Sequence, residues 1–203
     1  MHNTIIFDLG GVLIDWNPDY VFDQIFDDPA RKQFFYDNIC TPHWNEEQDA
    51  GRSLQEATDQ LLAKHPEWET EIKAYYGRWR EMLGGAIHET VDIFKELKAA
   101  NGHRFYALTN WSAETFPIAL DTFDFLHWFD GIVVSGVEKT RKPFPEFYQI
   151  LLDRYEVDPK RAVFIDDNYR NVLAAQAMGL ESIHFQSAAG LREELVKLGI
   201  LGV

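Results

Sequence analysis

The sequence predicts an α/β fold, a Rossmann-like open parallel sheet with an all-helical unit inserted after its first strand. Three observations carry this. Short apolar runs recur, and each ends on polar residues. Helical patterns alternate with those runs. One stretch, from about Asp15 to Leu83, holds repeated helix starts and no good strand.

The strand candidates come first. Ile5-Ile6-Phe7 ends on Asp8, Tyr106-Ala107-Leu108 on Thr109-Asn110, and Val163-Phe164-Ile165 on Asp166-Asp167. Ile132-Val133-Val134 ends on Ser135, and Ser182 to Phe185 is a weaker fifth run. Continuous apolar runs of this length suit strands covered on both faces, as in a parallel sheet. Ligands of such sheets sit at the carboxyl ends of the strands, so the polar run-ends should meet on one edge.

The helices follow. Ile87 to Ala100 reads as a helix stopped by Asn101-Gly102. Pro145 to Tyr155 and Asn168 to Met178 carry helical apolar spacing, the second ending at Gly179. Within the insert, Asn17-Pro18, Asp28-Pro29 and Thr41-Pro42 each pair an N-cap residue with proline at the first helical position. Ser53 to Glu56 fits a capping box, and Pro66 to Leu83 reads as one long helix stopped by Gly84-Gly85. The expected domains are a core of residues 1–15 and 84–203 and a helical cap of residues 16–83.

Composition narrows the function. The chain has 203 residues, 46% hydrophobic and 26% charged, enough for a buried core. Its formal net charge of −14 disfavours nucleic acid and anionic membrane surfaces. An anionic substrate then needs cations supplied by the site itself. One cysteine, Cys40, cannot form an internal disulfide. With no signal-peptide pattern and no apolar run near the ~20 residues of a membrane helix, the expected location is cytoplasmic. The expected state is a monomer or weak homodimer.

Asp8 by itself could simply cap a turn. Its context argues for more. Gly10 and Gly11 allow close backbone approach to a ligand, and exposed amides at Leu9 and Gly10 could hold an anion. Asp166 and Asp167 are adjacent, and Asp8 should lie close to them. Two unit charges ~4 Å apart cost about 4 kcal/mol at an effective dielectric of about 20. Carboxylates clustered in this way protonate or recruit a cation, and an all-oxygen donor set favours Mg2+. Lys142 could supply fixed positive charge for an anionic substrate.

These motifs, in this order and at strand ends, resemble the haloacid dehalogenase-like hydrolases over nearly the whole chain. The resemblance is to the phosphatase branch with a helical C1-type cap. It makes Asp8 the nucleophile, Thr109 (with Asn110) the phosphate-holding hydroxyl, and Lys142 in "RKPFPEFY" the lysine of the family's third motif. "FIDDNYRN" supplies the acidic pair. The implied Mg2+ ligands are Asp8, the Gly10 carbonyl and one of the pair, Asp167 directly with Asp166 through water; Asn171 supports them. The implied reaction is hydrolysis of a small phosphorylated metabolite, such as a sugar phosphate, through an aspartyl-phosphate. A 2-haloacid dehalogenase is the rival activity, disfavoured by the acidic pair. A non-catalytic phosphometabolite-binding protein is the other alternative.

Gly10 departs from the family pattern. Most phosphatases of this kind carry an aspartate there as general acid and base, a function worth about 10²–10⁴-fold. Some sugar-phosphate phosphatases resemble this chain in having glycine. Three outcomes stay open: a leaving group that needs little protonation, a substitute such as Asp15, His43 or water, or weak catalysis. The cap should select substrate, and "CTPHWNEEQDAGR" places His43 and Trp44 with Asn45 and Gln48 where they could face the site. Trp111 could line the pocket or pack against the cap.

Overall fold

The computed structural model describes residues 2–202. Met1 and Val203, the outer ends of the expected core, lie outside the described residues. The chain begins with β1 (Thr4–Phe7) and β2 (Ile14–Trp16). The insert follows as α1 (Asp19–Phe22), α2 (Pro29–Asn38), α3 (Pro42–Asp49), α4 (Leu54–Lys64) and α5 (Glu69–Gly77). Then come β3 (Leu83–Ala86), α6 (His88–Ala99), β4 (Arg104–Thr109), α7 (Phe116–Thr122) and β5 (Gly131–Val134). The chain closes with α8 (Ser135–Glu138), α9 (Pro145–Arg154), β6 (Ala162–Asp166), α10 (Tyr169–Ala177), β7 (Glu181–His184) and α11 (Ala188–Lys197).

The main sheet has the order β5-β4-β1-β6-β7, and every pairing is parallel. Alternation along each strand builds two cores. Ile5, Phe7, Phe105, Ala107, Val163 and Ile165 face one side, which α6 and α11 cover with Phe94, Leu97, Leu191 and Leu195. Ile6, Tyr106, Leu108 and Phe164 face the other, which α9 and α10 cover with Phe147, Leu151 and Ala175. Both faces are dry, which is why these strands read as unbroken apolar runs.

Register fixes the reactive edge. Phe7 pairs with Ala107 on one side and with Ile165 on the other. Asp8 therefore emerges beside Leu108-Thr109 and Asp166. The strand order reverses around β1, which makes this edge a ligand-binding crevice.

The helix starts inside the insert are capped much as their residues suggest. Asp28 accepts from the Ala30 amide, Thr41 from Trp44 and Ser53 from Glu56. Glu56 itself accepts from Gln60, so the capping box is only half made. The insert packs through aromatic rings, with Phe22 on Phe35 at 4.9 Å and Trp44 on Tyr75 at 5.1 Å between centroids.

Two expectations need correction. The insert is rooted in strands, because β2 and β3 form an antiparallel ribbon. The strands span only three and four residues, too short for an alternation signal. Gly84 reads as a helix stop, yet the close approach of Asp15 and Tyr20 leaves no room there for a Cβ. The long helix of 66–83 is also broken. It comprises a 3₁₀ turn at Pro66–Trp68, α5, and a second 3₁₀ turn at Trp79–Met82. The break after Gly77 turns Trp79 onto Trp111, 5.7 Å away, and returns the chain to β2. Among the described residues, no helix is long and apolar enough to cross a membrane.

Candidate active site

Asp8 leaves β1 with its amide still donating to the Ile165 carbonyl at 2.8 Å. Its Oδ1 accepts from the Leu9 amide at 2.7 Å. That amide, expected to hold substrate, instead orients the carboxylate. The Leu9 carbonyl then gathers the amides of Val12, Leu13 and Ile14, which folds the next residues into a tight turn. Gly11 makes the turn with φ +72°, and Asp167 stands where its Cβ would be. Only glycine meets both conditions without strain.

Lys142 is fully buried between two carboxylates. Its Nζ lies 2.8 Å from Asp8 Oδ2 and 2.7 Å from Asp166 Oδ2. Asn110 positions it: its Nδ2 donates to the Lys142 carbonyl at 3.0 Å, and its Oδ1 accepts from the Lys142 amide at 2.8 Å. Asn110 thus commits its side-chain oxygen and one of its two amide hydrogens to the lysine loop, while it also lines the pocket beside the cluster. Asp166 also accepts from the Asn168 amide at 2.8 Å and from Asn171 Nδ2 at 3.1 Å to each oxygen.

Asp8, Asp166 and Asp167 place ligand oxygens within 4.8 Å of one another. One ammonium faces three carboxylates here. Burial lifts the Asp8 pKa, Asp166 and Asp167 push the same way, and Lys142 opposes them. Burial pulls the Lys142 pKa down, but Asp166 and Asp8 outweigh it, so the lysine stays charged. The Asp167 pKa is raised by burial and by Asp166. The all-oxygen donors and excess negative charge fit a hard divalent cation. Asn171 adds a buried Oδ1 that has no partner. Asp166 is fully buried and already takes several donors, whereas Asp167 is the more open of the two, so Asp167 is the freer ligand.

Thr109 ends β4 beside this cluster, and its buried Oγ1 has no hydrogen-bond partner. An orphaned buried hydroxyl costs stability unless a ligand uses it. Thr109→Val is expected to leave stability unchanged within about 1 kcal/mol and to lower turnover at least tenfold. Urea unfolding and steady-state assays of the same preparation check both halves.

An open pocket adjoins this edge, with Gly10 and Asn110 among its lining. Trp16, Tyr76, Trp79 and Trp111 form aromatic walls. Asn45 and Asp49 reach it from α3. The insert is held down by ion pairs, since Glu46 of α3 bridges Arg141 at 2.9 Å and Arg170 at 2.8 Å.

Helical phase corrects the expectation for α3. Trp44 and Gln48 share one face and turn into the insert: Gln48 donates to the Trp44 carbonyl and to Tyr76 Oη, both at 2.7 Å. His43 is exposed and, like Trp44, does not line the cavity. Asn45 and Asp49, four residues apart, share the face that does. Asp49 is a pocket residue beyond those the sequence reading names, although its i, i+4 spacing from Asn45 signals it. Burial raises the Asp49 carboxyl to about 7; Glu46 adds to the rise, and Arg141 and Lys142 oppose it.

The family model for haloacid dehalogenase-like hydrolases matches residues 2–179. A sesquiterpene phosphatase of Aspergillus oryzae is 30% identical over 95% of this chain and 94% of its own. A phosphorylated carbohydrates phosphatase of Thermotoga maritima is 26% identical over 89% of this chain and 83% of its own. A solved enzyme of the same family from Bacteroides thetaiotaomicron, in complex with magnesium and inorganic phosphate, superposes with a TM-score of 0.68. It is 22% identical and covers 92% of this chain and 95% of its own.

Proposed function

Because the chain belongs to the haloacid dehalogenase-like hydrolases, we propose that it is a Mg2+-dependent phosphatase of small phosphorylated metabolites, acting through an aspartyl-phosphate on Asp8. The observation that carries this reading is the buried Lys142 held between Asp8 and Asp166, with Asp167 beside them and the neighbouring Gly10 and Asn110 opening onto the pocket. A dehalogenase has no use for such an acidic pair. Relatives named as phosphatases support the same reading.

Asp8 Oδ attacks phosphorus in line with the leaving oxygen. Lys142 neutralises the nucleophile and its neighbour, so a dianionic phosphate can approach. Thr109 Oγ1 donates to a phosphate oxygen. Asn110 holds the Lys142 backbone in place. The residues that would hold Mg2+ are Asp8, the Gly10 carbonyl and Asp167, with Asp166 and Asn171 behind them. When bound, the cation screens the phosphate charge and stabilises the charge that develops on its oxygens. Residues 16–83 act as the cap that selects substrate, and their aromatic walls offer flat apolar faces to a sugar ring or an unsaturated chain.

The experiment is phosphate release from p-nitrophenyl phosphate, sugar phosphates and an isoprenoid phosphate, with Mg2+ and with EDTA. EDTA is expected to abolish release, and added Mg2+ to restore it. Release indifferent to EDTA would remove the metal from the reading. Halide release from a 2-haloacid, with no phosphate release from any ester, would replace the reading with a dehalogenase.

A further inference from the structure

The catalytic edge lacks a proton carrier where most relatives by motif place one. Gly10 is not there for backbone reasons. Its φ lies outside the left-handed region, and a Cβ built on it meets nothing within 4 Å. The space of an acid is present and unused. The two substitutes suggested by sequence stand elsewhere. Asp15 takes the hydroxyl of Tyr20 and backs onto Gly84, and His43 is exposed. Neither lines the cavity. Tyr76 does, but its hydroxyl already donates to Asn45 Oδ1 at 2.9 Å and accepts from Gln48.

One carboxyl remains among the described residues that line the cavity with Gly10, and it is Asp49. We propose that Asp49, the last residue of α3, is the general acid and base of the reaction, delivered by the cap in place of the missing core aspartate. This rests on the aspartyl-phosphate reading above. In the first step the Asp8 oxygen bonds to phosphorus and the bond from phosphorus to the leaving oxygen breaks. The Asp49 proton goes to that oxygen, releasing an alcohol and leaving Asp49 ionised. In the second step water attacks phosphorus and gives its proton to Asp49. The bond from Asp8 to phosphorus breaks, phosphate departs, and both aspartates return to their starting states.

The surroundings suit a carboxyl that must carry a proton near neutrality. Asp49 is partly buried at the C-terminal end of a helix, where the dipole disfavours an anion. Glu46 on its own helix repels its charged form, and Arg141 and Lys142 of the core attract it. The backbone of Ser112 faces it from the loop after β4, and Tyr75 and Tyr76 of α5 lie beside it. The balance is a group protonated below about 7 and ionised above. The Glu46 bridges to Arg141 and Arg170 hold the helix that carries Asp49 against the core.

The test compares kcat/KM for p-nitrophenyl phosphate, whose leaving group needs no proton, with n-butyl phosphate, whose leaving group does. In Asp49→Asn the butyl ester is expected to lose about 10²–10⁴-fold while the nitrophenyl ester stays within a few-fold. Wild-type kcat/KM on the butyl ester should fall as pH rises through about 7, because the acid form of Asp49 is lost. Asp49→Asn should lack that limb. Gly10→Asp added to Asp49→Asn should restore butyl turnover. Equal losses on both esters, or no selective loss on the butyl ester, overturn the proposal. Failure of the underlying reading looks different: there Asp8→Asn retains release, or the wild type cleaves neither ester. Asp49→Asn removes a charge from a partly buried site and should unfold no earlier than wild type at pH 8, which separates lost chemistry from lost fold.

Discussion

Asp8→Asn is expected to lower phosphate release by at least ~10⁴-fold, the scale seen when a covalent nucleophile is removed, with the fold intact. The amide is isosteric with the carboxylate, and its oxygen can still accept from the Leu9 amide, now 2.7 Å away. Lys142 loses one partner and keeps Asp166 at 2.7 Å. One of three clustered carboxylates disappears, which relieves repulsion and desolvation together. These terms oppose each other, so the net change in stability should stay within about 1 kcal/mol, or a few degrees in Tm for a chain of this size. Thermal unfolding, phosphate release and acid-quench trapping of the acyl-phosphate, run on one preparation, check it. Full turnover by Asp8→Asn would place the nucleophile elsewhere. A collapse of Tm by more than about 10 °C would mean that Asp8 is chiefly structural.

The catalytic edge was legible because its residues end strands. An apolar run that stops on Asp8 or Asp166 shows both the strand and the carboxylate at once, and parallel register then brings the run-ends together. Lys142 was legible only by motif. A lone loop lysine has no pattern that shows it to be fully buried, and the clamp by Asn110 depends on residues 32 positions apart. The cap was legible at its N-caps, where one side chain bonds an amide two or three residues on. It was not legible in its facing. A short helix with Trp44, Asn45, Gln48 and Asp49 offers two plausible inward faces, and the aromatic residues of α5 decide between them. Trp16 and Trp79 were hidden for a similar reason. They belong to a two-stranded ribbon and a 3₁₀ turn too brief to leave a period.

Lys142→Met should be the most destabilising single change in the site, costing about 3–5 kcal/mol. Methionine fills the space but brings no charge. Asp8 and Asp166, held at 2.8 and 2.7 Å from the ammonium in wild type, would then face each other without it. The remaining donors to Asp166, from Asn168 and Asn171, carry no full charge. For a domain whose whole stability is of order 5–15 kcal/mol, this is a large fraction. The loss should show in urea unfolding in EDTA, where no cation can stand in for the lysine. Adding Mg2+ should return part of it, since a divalent ion in the same cluster supplies the missing charge. Adding Asp8→Asn to Lys142→Met should also return part, making the two changes strongly non-additive in the favourable direction. Lys142→Arg keeps the charge but cannot seat a planar guanidinium in a gap shaped for a point charge. Its stability loss should be smaller than that of Lys142→Met, while its turnover stays low. If Lys142→Met cost under 1 kcal/mol and showed no coupling to Asp8→Asn, the lysine would not be the counter-ion of this cluster. The electrostatic basis for admitting a phosphate dianion to so acidic a protein would then have to be sought in Arg141 and Arg170.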